Sequence, residues 1–317
     1  MSSLKPIGGY FELELPKGRS YHQNAIALNT GRNCLEYILR VRGYERIYIP
    51  YYTCDAILEP FNKLGIDYSF YHINKNLELA DDIVLKPNEA LLATNYFGLK
   101  QEHILRLAAI YGNQLIIDNT QAFFDMPIDG IDTFYSCRKF FGVSDGAYLY
   151  TDKLLPETLE QDKSYNRMSQ LLKRIDISAE DGFVDFQKAD ENLGNQPIRK
   201  MSKLTQRIMQ SINYETVKKK RRTNYQILHN ALSCVNNLKL EFNEGMAPMV
   251  YPLLLTSING LREKLIKNKI FVARYWQNVL EWTSKDDLEH IFAYHLLPLP
   301  IDQRYEEFEM DTILYFF

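Results

Sequence analysis

The sequence has few cysteines and lacks any long apolar run. Its 317 residues include four cysteines, no two of which have the C-x-x-C spacing of zinc and redox motifs: Cys34, Cys54, Cys137 and Cys234. This spacing predicts reduced thiols in a cytoplasmic protein rather than a disulfide framework or a zinc site. The longest apolar run, residues 249–255, is interrupted by Pro252, whereas a membrane span needs about twenty apolar residues.

Neither sign of charge dominates the sequence, and its histidines are scattered. Lys+Arg 37 against Asp+Glu 40 gives a formal net charge of −3, which excludes the basic field typical of nucleic-acid binding. His290 and His295 do not have the i,i+4 spacing that places two metal ligands on one helix face. Residues 1–14 lack the continuous apolar core of a signal peptide. We therefore expect a cytoplasmic protein with no metal site and with no nucleic-acid or membrane partner.

The nucleotide-binding motifs G-x-G-x-x-G and G-K-[ST] are absent. Strand-like and helix-like segments nevertheless alternate through the first two-thirds of the chain. Strands are predicted over residues 46–49, 68–73, 90–97, 114–118, 133–136 and 147–151. Helices are predicted over residues 31–42, 54–64 and 101–111. Such alternation is typical of an α/β fold with a mostly parallel sheet flanked by helices and ligands at the carboxyl ends of its strands.

The character of the sequence changes after about Leu154. Residues 157–196 are polar and acidic, which predicts loops and short helices, and residues 201–232 predict one or two long helices. Further strands are predicted at 249–256 and 292–299, with helices at 258–267 and 310–317. We therefore predict a large α/β domain over residues 1–205 and a small C-terminal α/β domain over residues 206–317.

Three short segments carry candidate chemistry, and the first is residues 29–33. Thr30 and Gly31 directly precede a predicted helix, whose first backbone N–H groups and dipole favour an anion such as phosphate. The alternative is an ordinary helix N-cap.

The second and third segments supply an acid and an amine. Asp118 follows the apolar residues 115–117 at a strand end, although it could equally cap the next turn. Lys139 stands among aromatic and apolar residues beside Arg138, and both features would lower its pKa from about 10.4 toward that of a nucleophilic amine. A surface lysine is the alternative. Pyridoxal 5′-phosphate (PLP) requires a site for its phosphate, an acid for its pyridine nitrogen and an amine for its aldehyde. The sequence offers these in order, as the anion site, the strand-end Asp118 and the Ser136-x-x-Lys139 segment.

These segments resemble the DegT/StrS-type PLP-dependent aminotransferases, which have the fold of aspartate aminotransferase, PLP fold type I. The resemblance runs over most of the chain. Five short segments are similar to that family's motifs: residues 30–32, 48–53, 95–98, 118–122 and 136–139. Leu299-Pro300 with residues 310–314 is similar to the family's closing segment. The Asp118 and Lys139 segments are the more specific ones in this order and spacing.

The resemblance implies a role for individual residues. Lys139 would bind PLP covalently and act as acid and base, and Asp118 would bind the pyridine nitrogen, so these two are the predicted catalytic residues. The other predicted cofactor contacts lie in the phosphate segments, the turn after residue 50 and the ring region: Thr30, Gly31, Arg32, Asn33, Tyr52, Cys54, Asn95, Gln121, Ser136 and Arg138.

The sequence departs from the family at several places, and the chain is shorter than most members. The family's glycine pair after the lysine is Gly146-Ala147 here. The family's aromatic residue after the turn threonine is Cys54 here, so Tyr51 or Tyr52 is the candidate ring partner. The family's asparagine that reaches the partner subunit has no clean match, since this chain has Ile198 before Arg199.

The resemblance implies a homodimer that transfers an amino group from an amino acid, glutamate in the first instance, to a keto-sugar. That sugar would be nucleotide-linked and destined for surface polysaccharide. Two alternatives stay open: another PLP enzyme, such as a lyase or an amino-acid transaminase, and a catalytically weak protein with the PLP fold.

Overall fold

The computed structural model describes residues 7–317, so the first six residues of the N-terminal segment 1–14 lie outside the described residues. A seven-stranded sheet has the order β1-β7-β6-β5-β4-β2-β3. Its strands are β1 Ile26–Leu28, β2 Arg46–Pro50, β3 Asp67–Tyr71, β4 Glu89–Thr94, β5 Leu115–Asp118, β6 Asp132–Ser136 and β7 Ala147–Tyr150. Strands β2 to β6 pair in parallel, and β7 is antiparallel to both β6 and β1. The predicted mostly parallel α/β sheet is confirmed.

Eleven α-helices are found within residues 7–317. Those before the last strand of the large sheet are α1 Gly31–Arg42, α2 Leu58–Leu64 and α3 Gln101–Tyr111. The later ones are α4 Ser169–Asp176, α5 Phe183–Glu191, α6 Lys203–Ser211, α7 Tyr214–Leu232, α8 Leu261–Lys267, α9 Val279–Trp282, α10 Leu288–His295 and α11 Glu307–Leu314. Among the described residues, no helix is both long and apolar enough to cross a bilayer.

Alternate residues of the central strands face opposite sides of the large sheet, and both sides are covered. Ala90 and Leu92 of β4 pack with α1 residues such as Leu35 and Ile38 in one apolar cluster. Leu91 of β4 belongs to a second cluster that extends into the C-terminal part of the chain. Burial on both faces explains why these strands read as continuous apolar runs rather than as alternating ones.

The C-terminal part contains a second sheet of two antiparallel strands, β8 Val250–Leu254 and β9 Leu296–Pro300. Both strands lie within the predicted small domain, residues 206–317. The backbone N–H of Met249, just before β8, donates to the carbonyl oxygen of Phe97, which follows β4. The shared apolar cluster and this bond hold the C-terminal part against the ends of the large sheet.

Two C-terminal predictions differ from the structure. The strand predicted at 292–299 is wrong over its first half, because α10 extends to His295 before β9 begins. Glu289 in the first turn of α10 is almost fully buried and accepts from the backbone N–H of Ile73 at 2.6 Å, a tertiary contact that strand propensity does not include. The last helix runs over Glu307–Leu314 rather than 310–317, since Glu306 and Glu309 form a capping box at its start.

Register brings polar strand ends to one edge of the large sheet. Thr94 is paired with Asp118, and Asp118 with Phe134, in neighbouring parallel strands. Helix α1 starts beside this edge, where Thr30 adopts an extended backbone and its hydroxyl oxygen accepts from the N–H of Asn33. The carboxyl ends of the strands and the N-terminus of a helix therefore meet at the same place.

Candidate active site

A cavity of about 210 Å³ opens at this edge, and it brings together most of the residues predicted from the sequence. We call it the strand-end cavity. The N-terminus of α1 and the turn after β2 contribute Thr30, Gly31, Arg32 and Cys54 to its wall. The segments after β5 and β6 contribute Asp118, Gln121, Ser136, Arg138 and Lys139. These residues are far apart in the chain, and only the sheet topology makes them neighbours.

The predicted acid and amine are connected through Thr120. The Lys139 Nζ donates to the Thr120 hydroxyl oxygen at 3.0 Å, and the Thr120 backbone N–H donates to Asp118 Oδ1 at 2.8 Å. Asp118 is only 8% exposed. Two interpretations of Asp118 were possible from the sequence: a cap of the next turn and a site residue at a strand end. In the structure, its carboxylate caps the turn at Thr120, and the residue also lines the cavity. Thr120 had been given no role from the sequence, because its bond to Lys139 depends on the tertiary fold.

The N-terminus of α1 combines a side-chain cap with groups that line the cavity. The hydroxyl of Thr30 donates to Asn33 Oδ1 at 2.7 Å as well as accepting from the Asn33 N–H. Asn33 Nδ2 donates to the carbonyl oxygen of Gln196, and Asn33 is not part of the cavity wall. Gly31 and Arg32 are the first two residues of α1, where backbone N–H groups have no partner within the helix.

Two arginines carry positive charge to this end of the cavity. The Arg32 guanidinium lies 3.4 Å from Glu59 Oε2, and that of Arg138 lies 2.9 Å from Asp190 Oδ1. Each of the two arginines therefore has an acidic partner within the protein. Both arginines remain largely shielded from solvent, with side chains 23% and 22% exposed.

Gln121 and Asn95 hold the chain that follows β4. Gln121 Oε1 accepts from the backbone N–H of Phe97 at 2.8 Å, while Gln121 also lines the cavity. Asn95 is fully buried outside the cavity wall, where its Nδ2 donates to Asp125 Oδ2 at 2.7 Å. Burial raises the pKa of Asp125 to about 6, although the bond from Asn95 opposes this. Asn95, one of the predicted cofactor contacts, therefore lies outside the cavity wall, where its side chain supports the loop after β4.

The two candidates for an aromatic partner occupy different places. Tyr52 is fully buried and does not line the cavity, and its hydroxyl has no hydrogen-bond partner within residues 7–317. Tyr51 stacks on Phe70 instead, with ring centroids 4.6 Å apart. Cys54 does line the cavity, and burial raises the pKa of its thiol. Trp276 also lines the cavity, from the C-terminal part of the chain, and sequence reasoning missed it.

Residues 142–146 match the Gly-x-Ser-x-Gly pattern of serine hydrolases, in which the serine is the nucleophile. Ser144 is buried and its hydroxyl donates to the carbonyl oxygen of Arg167 at 2.5 Å rather than to a histidine. Asp145 is fully buried and accepts from the backbone N–H of Ser202 at 2.8 Å. Gly146 has φ +114°, and a Cβ there would lie 2.9 Å from Thr205. The segment is a packed connection into β7, not a nucleophile turn.

A larger groove of about 770 Å³ lies beside the strand-end cavity, between α4, α5, α8 and residues 270–278. Its wall combines the arginines Arg174, Arg262 and Arg274 with the rings of Phe183, Phe186 and Phe271, and we call it the arginine groove. The three rings are 47–55% exposed. Helix α5 and residues 270–278 contribute to both walls, through Asp190 and Trp276 in the cavity and through Phe183 and Gln277 in the groove.

The charge of the arginine groove is not balanced by its own acids. Glu180 is the acidic residue in its wall, and Lys269 Nζ lies 3.0 Å from Glu180 Oε1. The Nε atoms of Arg262 and Arg274 are buried without a hydrogen-bond partner among residues 7–317. Burial, followed by the charge of Arg274, lowers the pKa of Arg262. The Arg274 guanidinium lies 5.3 Å from the centroid of the Tyr294 ring. Exposed rings and an excess of positive charge in one wall together favour an anionic ligand that contains a ring.

Comparison with known proteins gives matches by structure and none by sequence. No protein-family model matches the chain, and no curated protein matches it. One similar solved structure is the putative sugar aminotransferase Spr1654 from Streptococcus pneumoniae, which has been solved in PLP and PMP forms. Its PLP form matches this chain with a TM-score of 0.64 at 14% identity, and the match covers 92% of this chain and 85% of that one. The sugar aminotransferase CalS13 from Micromonospora echinospora has a TM-score of 0.59 at 14% identity, with coverage of 92% and 86%.

A third match carries the family name that the sequence motifs suggested. It is a DegT DnrJ EryC1 StrS aminotransferase from Brucella abortus, with a TM-score of 0.56 at 15% identity and coverage of 92% of this chain and 84% of that one. All three similarities extend over nearly the whole chain, and their low identity makes them evidence about the fold. The chain therefore has the fold of the PLP fold-type-I aminotransferases, as its sequence motifs predicted.

Proposed function

We propose that this protein is a PLP-dependent aminotransferase of the DegT/StrS type that transfers an amino group from an amino acid to a keto-sugar. The observation that carries the proposal is the chain of contacts from Lys139 through Thr120 to Asp118, in a cavity that the N-terminus of α1 also borders. An amine, an acid and an anion site at one strand edge are the three groups that PLP requires.

The residues of the strand-end cavity fit this cofactor one by one. The N-terminus of α1 and the Ser136 hydroxyl would bind the phosphate, with Arg32 and Arg138 adding positive charge. Asp118 would face the pyridine nitrogen, and the Lys139 amine would bond to the aldehyde carbon. Gly31 suits a phosphate contact, because the nearest atom to a Cβ at this position, Thr120 Cγ2, is 3.4 Å away.

When bound, PLP supplies an electron-accepting ring. The ionised Asp118 favours a proton on the ring nitrogen, since an opposite charge in contact stabilises the charged form of its neighbour. Thr120 orients the Lys139 amine through their 3.0 Å bond. The amino donor would take the place of Lys139 on the aldehyde carbon and thereby free the lysine amine. That amine would then take a proton from one carbon atom as a general base and return it to the other as a general acid.

The arginine groove supports a finer proposal, that the keto-sugar is linked to a nucleotide. Helix α5 and residues 270–278 border both sites, and we infer that one substrate extends from the cavity into the groove. The arginines would bind its phosphates, and the exposed phenylalanines would pack on its base. Surface polysaccharide is the proposed destination of the product, glutamate the proposed donor, and the cytoplasm the proposed location.

A homodimer is part of the same proposal. Apolar side chains of α4 and of the residue that follows it are exposed outside the wall of the arginine groove, with Ile175 82% and Ile177 64% exposed. Exposed apolar residues that lie close together favour an interface with a second copy of the chain. Light scattering of the purified protein tests this point.

The experiment that tests the proposed function uses the purified protein with PLP, glutamate and a panel of nucleotide-linked keto-sugars. We expect mass spectrometry to find an aminated sugar and 2-oxoglutarate in equal amounts. Elimination products, or amination of keto acids alone, would assign the protein to the lyases or to the amino-acid transaminases. PLP binding with no turnover of any substrate would favour the catalytically weak alternative.

A further inference from the structure

Trp276 enters the strand-end cavity from outside the large sheet. It belongs to residues 270–278, an irregular segment between α8 and α9, and it lines the cavity together with Asp118 and Lys139. The Asn278 Nδ2 donates to the backbone carbonyl oxygen of Thr53 at 2.9 Å, which fastens this segment to the turn after β2. The C-terminal part thereby supplies one wall of a cavity whose other walls belong to the large sheet.

The backbone at Trp276 is strained. Its φ is +57°, in the left-handed region that bulky side chains rarely adopt. Such a conformation costs free energy and persists only where the surrounding contacts determine it, which occurs most often at binding sites. The indole is held edge-on against the ring of Tyr52, with centroids 4.5 Å apart and an interplanar angle of 80°. The buried Tyr52 therefore fixes the orientation of Trp276.

We propose that the indole of Trp276 is the aromatic surface on which the cofactor ring packs. This inference rests on the proposed PLP function and names a positioning residue that the sequence motifs do not contain. Cys54, in the same cavity, has too small a side chain to cover an aromatic ring. The electron-rich face of an indole attracts a ring that carries positive charge, and Asp118 favours that charge on the pyridine nitrogen. Trp276 and Asp118 thus stabilise the same protonated ring.

Phe134, the other aromatic residue of the cavity wall, lies near the start of α1. Phe134 is 3% exposed and packs in the apolar cluster beneath α1. Its ring atoms are the next neighbours, at 3.9 and 4.0 Å, of a Cβ built at Gly31. Phe134 therefore lies at the proposed phosphate end, and Trp276 is the side chain suited to contact the ring.

The chain contains two tryptophans, and this allows a direct test by fluorescence. Trp282 lies in α9, where it contacts Phe70 at 4.9 Å between centroids and does not line the cavity. In Trp282→Phe, Trp276 is the only tryptophan, and we expect PLP to quench most of its emission with the same Kd that absorbance gives. In Trp276→Phe, we expect PLP to quench the emission of Trp282 by a smaller fraction.

Affinity measurements separate a ring contact from a general structural role. We expect Trp276→Ala to raise the Kd for PLP about tenfold and to leave the Kd for inorganic phosphate unchanged, while Trp276→Phe stays within about threefold of the parent. Equal quenching in the two single-tryptophan proteins, or a parental PLP affinity in Trp276→Ala, would overturn the inference and leave the proposed function intact. A parent protein that binds no PLP would refute both.

Discussion

The strand-end cavity and the arginine groove are neighbours, but they are built differently. The polar groups of the cavity come from strand ends and a helix start, and several are already engaged, as in the Lys139–Thr120 and Thr120–Asp118 bonds. The groove is formed by helices and an irregular segment, and its Arg262 and Arg274 have Nε atoms without a partner among residues 7–317. One region is preorganised by its own contacts, whereas the other presents an excess of positive charge to a ligand.

This difference separates cofactor chemistry from substrate recognition. A preorganised site stabilises charge with little reorganisation, which suits the catalytic groups. Arginines in excess of the acidic residues around them, together with exposed rings, contribute most when a ligand covers them, which suits the recognition of a substrate. We therefore expect substitutions in the cavity to change rate constants and cofactor retention, and substitutions in the groove to change KM.

The largest effect is expected for Asp118→Asn. This change keeps the shape of the side chain but removes the charge that holds the ring nitrogen protonated. We expect the glutamate-dependent conversion of PLP to pyridoxamine phosphate to slow by at least about a hundredfold, because a charge in a dry site loses its electrostatic partner. Stopped-flow absorbance measures the rate, and Asp129→Asn on the surface is the matched control. A parental rate in Asp118→Asn would reduce Asp118 to a turn cap.

A smaller effect, on binding rather than on rate, is expected for Ser136→Ala. The loss of a charge-assisted hydrogen bond to the phosphate should weaken PLP retention by about 1–3 kcal/mol. Equilibrium dialysis gives the Kd. Pyridoxal, which lacks the phosphate, provides the control and should bind the variant and the parent equally. An unchanged PLP Kd would contradict the proposed phosphate site.

Substitutions in the arginine groove should change the KM for the sugar substrate and leave PLP binding unchanged. We expect Arg262→Gln and Arg274→Gln each to raise the KM for a nucleotide-linked keto-sugar about tenfold, since each removes a charged donor to phosphate. The Kd for PLP and the rate with glutamate alone should stay within about twofold of the parent. Arg46→Gln, at the opposite end of the strands, is the control. An effect on PLP binding, or none on KM, would remove the distinction between the two regions.

Much of the fold and the cavity could be predicted from the sequence, because parallel strands bring distant motifs to one edge. Apolar runs that end in Asp118 or precede Ser136 identify buried strands, and the topology rule for such sheets places their ends together. The start of α1 could likewise be predicted, because Thr30 is a residue type that favours the N-cap position. These signals are local, and each one agrees with the global fold.

The parts that escaped prediction depend on tertiary contacts. Trp276 has no motif, and it reaches the cavity only because Asn278 fastens its segment to Thr53. Asn33 and Asn95 occupy positions that the family resemblance assigns to cofactor binding, yet their side chains bond to neighbouring protein groups outside the cavity wall. The arginine groove joins α4 and α5 to α8 and residues 270–278, a juxtaposition that no sequence period encodes.

The central claim is that Lys139 is the residue that holds the cofactor. Borohydride reduction of the PLP-loaded protein, followed by peptide mapping, tests it most directly, because reduction makes a lysine–cofactor bond permanent. We predict a single labelled peptide with the cofactor mass on Lys139, and no label in Lys139→Ala. Label on another lysine, or none in a parent protein that retains PLP, would contradict the account.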